Sequence, residues 1–264
     1  MPQEASIFLS RLSIGYTVHS RARAVASLLS ACALPGTLTC LLGRNGTGKS
    51  TLLRTIARLQ PPLDGKVEIG GKSIDAFSRE ELARTVAVVL TQRPDAANLT
   101  VRQLVELGRA PYTGFWGQLS ADDRRVVDEA IGCVGMEHMA LRRIASLSDG
   151  EMQKVMIAKS LAQQTPVILL DEPTAFLDFP GKIDILLLLK RLAHDERKTI
   201  LLSTHDLETA LHTADRLWLL GGGAIDEGTP SNLARGGQIE RYIDRDDVAL
   251  DRDTLNLRIL HTKC

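Results

Sequence analysis

The sequence Gly-Arg-Asn-Gly-Thr-Gly-Lys-Ser at residues 43–50 constrains the fold more than any other feature of this chain. It follows an apolar run at 38–42, which predicts a buried strand, and precedes Leu52, Leu53 and Ile56, which have helical spacing. Glycines between a strand and a helix let successive backbone N–H groups point at phosphate oxygens, and the helix N-terminus adds partial positive charge. The pattern G-x-x-x-x-G-K-[ST] therefore predicts a nucleotide-binding P-loop.

Two side chains of this loop have distinct expected roles. The Lys49 ammonium should reach the β- and γ-phosphates of ATP, and the Ser50 hydroxyl should hold Mg²⁺. The predicted ATP-binding residues of the loop are Gly43, Arg44, Asn45, Gly46, Thr47, Gly48, Lys49, Ser50 and Thr51. Such a loop indicates a nucleotide but not an activity, because kinases, switches and motors all use it.

Further short apolar runs predict more strands. They lie at 86–90, 167–170, 199–202 and 217–220. Runs this short and this apolar are typical of a sheet that is covered on both faces. Helical patterns separate them, one of them carried by Val155, Ala158, Lys159 and Ala162. We therefore predict an α/β fold with a mostly parallel sheet, as in a P-loop NTPase core.

Two segments interrupt this alternation. The sequence VEIGGKSI at 67–74 predicts a tight hairpin in an antiparallel β subdomain. Residues 93–143 contain helical stretches without an evident strand, which predicts an inserted helical subdomain. We therefore expect a single domain with three parts. The nucleotide-binding core comprises about 1–92 and 158–235, and the helical subdomain comprises about 93–157. A short C-terminal extension follows at about 236–264, with a weak strand near 255–260.

Charge and composition exclude some classes of partner. The 32 basic and 32 acidic side chains balance, whereas a nucleic-acid surface would need excess Lys and Arg, so no nucleic acid is expected. The four cysteines form no C-x-x-C pair, which argues against zinc and for a reduced, cytosolic chain. The longest apolar stretch, near 183–189, contains Asp184 and is far shorter than the roughly 20 residues that span a bilayer. Work at a membrane would need other chains to span it.

Two carboxylates follow the apolar run at 167–170. The sequence VILLDEP places Asp171 and Glu172 at the carboxyl end of a predicted strand, where ligands bind in open α/β sheets. Asp171 is expected to hold Mg²⁺, directly or through water, and Glu172 to polarise the attacking water as a general base. A strand end with two solvated acids is the alternative, and the intact P-loop disfavours it.

A second candidate anion site is the sequence LSDGE at 147–151, directly before a helical pattern. Ser148 can cap that helix, and Gly150 lets the backbone approach a ligand. Glu151 stands three residues after Ser148, as in a capping box, so an ordinary helix start is the competing interpretation.

Taken in chain order, these residues resemble the ATP-binding subunits of ABC transporters. That family has a phosphate loop, a glutamine loop, an LSGGQ-like signature, an Asp-Glu strand end, a D-loop and a switch histidine. The corresponding segments here are GRNGTGKST, Gln92 in VLTQRP, LSDGE, VILLDEP, FLD ending at Asp178, and His205 in STHD. The resemblance covers residues 7 to about 230. It implies one ABC ATPase domain over 1–264 that hydrolyses ATP with Mg²⁺ as half of a homodimer.

The resemblance also implies roles for individual residues. Gln92 would sense Mg²⁺ and link the site to the helical subdomain, and Asp178 would communicate across the dimer. His205 would grip the γ-phosphate and position the attacking water together with Glu172. The signature, which would contact ATP bound to the opposite subunit, comprises Ser148, Asp149, Gly150 and Glu151. Taken singly, Gln92 could also be a solvated loop residue and His205 a surface histidine.

Some residues match the family less closely. Tyr16 in LSIGYTV matches the aromatic residue that stacks on adenine, although a strand tyrosine packed on the core is the alternative. The sequence VHSRARAVASLLS after it indicates an Arg-rich turn, with Arg21 and Arg23 on a solvated face. Asp149 and Glu151 replace the common Gly and Gln of the signature. Acids so close to phosphates are unfavourable unless they point away.

The segment between Gln92 and the signature resembles the ATPase subunits of iron–siderophore, haem and vitamin B12 importers, with GRAPYTG at 108–114 and DEPTAFLD at 171–178 as its specific features. This implies transmembrane permease subunits, indirectly a periplasmic or lipoprotein substrate-binding protein, and a peripheral place on the cytoplasmic face of the inner (cell) membrane. Tyr112, Phe115 and Trp116 could dock a permease helix or form a small satellite core. A soluble ABC-type ATPase, for example in iron–sulfur cofactor assembly, is the alternative function.

Overall fold

A computed structural model of the chain describes residues 5–18, 21–90, 98–114, 117–245 and 247–260. The strands in this part of the chain are β1 (Ile7–Val18), β2 (Arg21–Ala33), β3 (Thr37–Gly43), β4 (Asp64–Ile69), β5 (Lys72–Ser73), β6 (Val86–Val89), β7 (Val167–Asp171), β8 (Thr199–Thr204), β9 (Arg216–Gly221), β10 (Ala224–Gly228), β11 (Val248–Leu250) and β12 (Leu257–Ile259). The α-helices are α1 (Lys49–Ile56), α2 (Arg79–Thr85), α3 (Val101–Glu106), α4 (Ala121–Cys133), α5 (Asp149–Ala162), α6 (Phe179–Asp195), α7 (Leu207–Thr213), α8 (Pro230–Arg235) and α9 (Gln238–Ile243).

The larger sheet has the strand order β10-β9-β3-β8-β7-β6. Its strands are parallel except β10, which pairs antiparallel with β9. The strands predicted from the apolar runs are therefore confirmed, as is the mostly parallel α/β fold. Because β3, β8 and β7 are consecutive neighbours, the residues that follow these three strands meet at one edge of the sheet.

The smaller sheet is antiparallel, with the order β2-β1-β4-β5. The hairpin predicted at 67–74 is present, and its turn residues Gly70 and Gly71 have φ values of 59° and 78°. These values lie in the left-handed region, which glycine adopts without strain. The antiparallel β subdomain is thus confirmed.

The Arg-rich segment predicted as a turn after Tyr16 is a strand in its described part, whereas His19 and Ser20 lie outside the described residues. Residues 21–33 form the long strand β2. The first four of them are exposed, so they lack the alternation that predicts a strand, whereas Ala26, Leu29 and Ala31 further along are buried. Arg21 and Arg23 are exposed, as expected.

Two apolar cores cover the two faces of the larger sheet. Leu38, Cys40 and Leu42 of β3 point to the core formed with the helices, whereas Leu41 points to the core shared with the smaller sheet and α1. This alternation follows from the two-residue period of a strand. Burial on both faces explains why the strands of this sheet read as continuous apolar runs.

Helices α3, α4 and α5 pack against one another in the core that the larger sheet forms with the helices. Within 98–114 and 117–143 the elements are helical, apart from an isolated bridge between Thr100 and Arg143, so helical character is confirmed for that part of 93–143. Helix α5 runs without a break from Asp149 to Ala162. The expected subdomain boundary at about 157 therefore falls inside a helix.

A buried ion pair ties α4 to the end of α5. Arg109 and Asp123 are 6 % and 8 % exposed, and Arg109 Nε donates to Asp123 Oδ1 over 2.8 Å. Arg109 Nη1 donates to Ala162 O and Gln164 Oε1 over 2.8 and 2.9 Å. Hydrogen bonds from the hydroxyl and backbone N–H of Ser120, followed by that from Arg109, lower the pKa of Asp123 to about 2.

Because of this low pKa, Asp123→Asn is expected to destabilise the protein less at about pH 3 than at about pH 7. The native pKa lies below the unfolded value of about 3.9, so the stability that the carboxylate contributes is complete above about pH 4 and is lost as the pH falls through about 2. Urea unfolding of both proteins at both pH values measures the difference. A pH-independent difference would contradict the expectation.

The last described elements are α8, α9 and the hairpin of β11 and β12. The weak strand predicted near 255–260 is confirmed as β12, whereas its partner β11 was not anticipated. Ile239 of α9 is fully buried, which anchors this extension to the larger sheet's helical core.

Each helix of the described residues is too short or too polar to cross a membrane.

Candidate active site

The loop at 43–50 joins β3 to α1, as predicted. Gly46 and Gly48 have φ values of 84° and 102°, which are strained for other residues. A Cβ atom at Gly48 would lie 2.7 Å from Val25 Cγ1. A Cβ atom at Gly43 would lie 2.5 Å from Thr47 Oγ1. The loop therefore needs glycine both for its curvature and for its close packing.

Lys49 is held at the floor of this loop. It is 7 % exposed, and its Nζ donates to Gly43 O over 2.7 Å. The same Nζ lies 3.8 Å from Glu172 Oε1. Ser50, the next residue, is exposed at the start of α1, with Arg44 and Asn45 exposed on the loop. The Lys49 ammonium is thus held by the Gly43 carbonyl, whereas Ser50 is exposed.

The two predicted acids stand at the end of β7. Asp171 is the last residue of the strand and is buried. Glu172 follows it with a φ of 51°, a left-handed conformation that is uncommon outside glycine. His205 Nδ1 lies 2.9 Å from Glu172 Oε2, and the His205 side chain is 63 % exposed. Lys49, Glu172 and His205 therefore meet around one carboxylate.

Ser203, which was not predicted from the sequence, lies inside this group. Its hydroxyl donates to Asp171 Oδ1 over 2.7 Å and accepts from the Glu172 N–H over 2.9 Å. The available signal was its place two residues before His205, at the end of the strand that neighbours β7.

Tyr16 lies on β1 beside the start of α1. Its hydroxyl is 2.6 Å from Thr51 Oγ1, and the residue is 47 % exposed. Tyr16 is therefore half exposed next to the P-loop helix and does not belong to the core. This position is compatible with adenine stacking, which stays a prediction.

The signature segment forms a capping box at the start of α5. Glu151 Oε2 accepts from the Ser148 N–H over 2.8 Å and from the Ser148 hydroxyl over 2.9 Å. In return the Glu151 N–H donates to Ser148 Oγ over 3.3 Å. These hydrogen bonds lower the pKa of Glu151. The capping box is confirmed, and the carboxylate turns back onto the Ser148 hydroxyl.

The signature also packs against the D-loop of the same chain. A Cβ atom at Gly150 would lie 3.1 Å from Leu177 Cδ2 and 3.3 Å from Phe176 O, which favours glycine there. Asp178 ends this segment and caps α6, with its Oδ1 accepting from the Gly181 N–H over 3.1 Å. Asp149 is exposed.

Three predicted residues, Gln92, Phe115 and Trp116, lie outside the described residues. The third aromatic of the expected cluster, Tyr112, donates its hydroxyl to Gln163 O over 3.0 Å. The Arg109 guanidinium lies 4.1 Å from the centroid of its ring. Tyr112 therefore contacts Arg109 and Gln163 of its own chain.

The donor set around the P-loop suits Mg²⁺. Ser50 offers a hydroxyl and Asp171 a carboxylate, and Mg²⁺ prefers such hard oxygen ligands. The Ser203 hydrogen bond fixes the Asp171 carboxylate, as second-shell partners of metal ligands commonly do.

The fold is that of an ATP-binding cassette of the P-loop NTPase class. A phosphate loop follows β3, two acids stand at the end of β7, and a histidine follows β8. These elements lie on one mostly parallel sheet beside an antiparallel β subdomain. The family model described as ABC transporter matches residues 27–175. The chain belongs to this family.

Named relatives share most of its length. The chain is 39% identical over 226 residues to the iron(3+)-hydroxamate import ATP-binding protein of Bacillus subtilis. The aligned region covers 85% of this chain and 82% of that protein. It is 35% identical over 232 residues to the ferric enterobactin transport ATP-binding protein of Escherichia coli, with coverage of 88% and 84%. A solved ATP-binding cassette, a post-hydrolysis dimer bound to ADP and Pi, matches with a TM-score of 0.75 at 28% identity, covering 85% of this chain and 98% of that chain.

Proposed function

We propose that this chain is the ATP-hydrolysing subunit of an ABC importer, and that two copies bind two ATP molecules head to tail. The observation that carries the proposal is the convergence of Lys49, Glu172 and His205 at the edge where β3, β7 and β8 end. The relatives whose names state import or transport, at 35–42% identity, support the transport role.

The geometry supports the following division of work during hydrolysis. Backbone N–H groups of the P-loop and the Lys49 ammonium bind the phosphates and stabilise the charge that develops on them. The attacking water forms the new bond to the γ-phosphorus, the bond to the ADP oxygen breaks, and the water's proton passes to the Glu172 carboxylate. His205 holds that carboxylate through its 2.9 Å contact. Mg²⁺, when held by Ser50 and Asp171, with Gln92 as the family resemblance implies, supplies further charge neutralisation.

In this proposal each subunit supplies half of every site. The Ser148 edge of one copy, with Asp149, Gly150 and Glu151, closes over ATP on the P-loop of the other, and Tyr16 stacks on the adenine. Closure excludes water and completes the site. ATP therefore biases a motion between open and closed dimers, because it binds the closed form better. The packing of Gly150 on the D-loop supports a path through Asp178 between the two sites.

Glu151→Gln is expected to tighten the ATP-dependent dimer about fivefold, equivalent to about 1 kcal/mol. The substitution removes a negative charge from the surface that faces the phosphates, and it weakens the carboxylate's hold on the Ser148 hydroxyl. Sedimentation with a non-hydrolysable ATP analogue measures the dimer affinity. Glu129→Gln, the same change on the exposed surface of α4, is the control. Equal or weaker dimerisation of the Glu151 variant would contradict the expectation.

The proposed partners follow from the importer role. They are transmembrane permease subunits and, indirectly, a periplasmic or lipoprotein substrate-binding protein, which places the chain peripherally on the cytoplasmic face of the cell membrane. The proposed cargo is an iron–siderophore, haem or cobalamin-like molecule. We further propose the division into a core, a helical subdomain at about 93–157 and a C-terminal extension at about 236–264.

Uptake by a deletion strain tests this function. Cells that lack the gene should fail to accumulate one labelled cargo among hydroxamate and catecholate iron chelates, haem and cobalamin. The wild-type gene should restore uptake, and Lys49→Ala should not. Normal uptake of all of them, together with loss of iron–sulfur enzyme activity, would favour the soluble assembly ATPase instead.

A further inference from the structure

Ser203 occupies a special position in the sheet. It is the penultimate residue of β8 and is 0 % exposed. The parallel register of β7 and β8 pairs it directly with Asp171. On its other side, β3 pairs it with Leu41, two residues before the P-loop. The hydroxyl therefore lies between the strand that carries the acids and the strand that carries the phosphate loop.

The Ser203 hydroxyl forms hydrogen bonds with both acidic residues of the site, with the carboxylate of Asp171 and with the backbone of Glu172. As a donor it binds Asp171 Oδ1 over 2.7 Å, and as an acceptor it binds the Glu172 N–H over 2.9 Å. A hydroxyl can do both at once, whereas a methyl group can do neither and a thiol does both weakly. The orientation of the Asp171 carboxylate and the position of the Glu172 backbone are thus set by the same atom.

The backbone of Glu172 needs such a restraint. Its φ of 51° lies in a region that non-glycine residues rarely adopt, and such conformations persist only where the surroundings over-determine them. Within this conformation the side chain places Oε1 3.8 Å from Lys49 Nζ and Oε2 2.9 Å from His205 Nδ1. A shift of the Glu172 backbone would disturb both contacts together.

We propose that Ser203 is a positioning residue for hydrolysis, which holds Glu172 in its left-handed conformation between Lys49 and His205 and orients Asp171. The inference rests on the proposed role of Glu172 as the general base. It assigns to Ser203 an effect on the chemical step and on the Mg²⁺ requirement, with little effect on ATP binding.

The test compares Ser203→Ala with wild-type enzyme in steady-state phosphate release and in equilibrium binding of a fluorescent ATP analogue. We expect kcat to fall about 10–100-fold, as is typical for loss of an outer-shell partner. The Mg²⁺ concentration at half-maximal rate should rise, because the Asp171 carboxylate loses the hydrogen bond from the Ser203 hydroxyl. The Kd for the nucleotide should stay within about threefold, because the P-loop contacts are unchanged.

Ser160→Ala is the matched control. Ser160 is also buried, at 3 % exposure, and its hydroxyl donates to Ile157 O within α5. Its loss should leave kcat and the Mg²⁺ requirement unchanged. Ser203→Cys keeps a weak donor and acceptor at the same position and serves if the alanine variant folds poorly, and it too should lower kcat.

The outcomes separate the inference from the proposed function. If both Ser203 variants turn over like Ser160→Ala while Glu172→Gln is inactive, the positioning role is wrong and the general base stands. If Glu172→Gln hydrolyses ATP rapidly, the general-base role of Glu172, on which the inference rests, fails first. An equal loss of nucleotide affinity and kcat in the Ser203 variants would also overturn the inference, since it would show a merely structural defect.

Discussion

Glu172→Gln is expected to lower ATP turnover by about 10²–10⁴-fold, the usual contribution of a positioned general base, and to leave ATP binding intact. The amide keeps the size of the side chain but cannot take a proton from water. The P-loop and Lys49 are untouched, so the phosphates still bind. Because hydrolysis no longer opens the closed form, ATP should trap the protein as a dimer.

Phosphate release, nucleotide binding and size-exclusion chromatography with ATP measure these three effects. Glu208→Gln, the same chemical change on the exposed surface of α7, is the control and should behave as wild type. Rapid hydrolysis by the Glu172 variant would show that another group activates the water.

Arg109→Ala is expected to destabilise the protein by about 3–5 kcal/mol, because it leaves the buried Asp123 carboxylate without its cationic partner. The change also removes the donors to Ala162 O and Gln164 Oε1, which tie the segment before α4 to the end of α5. It further removes the cation that stacks on Tyr112. The loss should therefore be concentrated in the packing of α4 on α5.

Urea unfolding at neutral pH measures this loss. Arg125→Ala on α4 is the matched control, because Arg125 pairs with Glu129 and Asp122 on the surface, where ion pairs contribute about 0–1 kcal/mol. Equal effects of the two substitutions would mean that the Arg109–Asp123 pair adds no more than a surface pair does.

The parts of the fold that the sequence predicted correctly are those specified locally or by burial on both faces. Strands β3 and β6 to β9 appear as continuous apolar runs because helices and the smaller sheet cover them. The P-loop depends on glycines at fixed positions, and the capping box on the spacing of Ser148 and Glu151. Strand β2 escaped prediction because residues 21–24 are all exposed and show no alternation.

The parts of the site that the sequence did not reveal depend on register between distant segments. Ser203 meets Asp171 only because β7 and β8 pair in one register, although Ser203 and Glu172 are 31 positions apart in the sequence. The left-handed backbone of Glu172 is likewise a tertiary feature, since nothing in DEP marks it. The spacing of Ser148 and Glu151 allowed both a signature and an ordinary capping box, and it could not show that the Glu151 carboxylate accepts from the Ser148 hydroxyl itself.

A mixing experiment tests most directly whether two copies build each active site. Lys49→Ala lacks a working P-loop but keeps its signature, whereas Ser148→Ala keeps the P-loop and lacks the signature hydroxyl. Each variant alone should be nearly inactive, and phosphate release should rise when the two are mixed, because one of the two sites in a mixed dimer combines both intact halves. Full turnover by Ser148→Ala alone, or a mixture no more active than its separate components, would contradict the account.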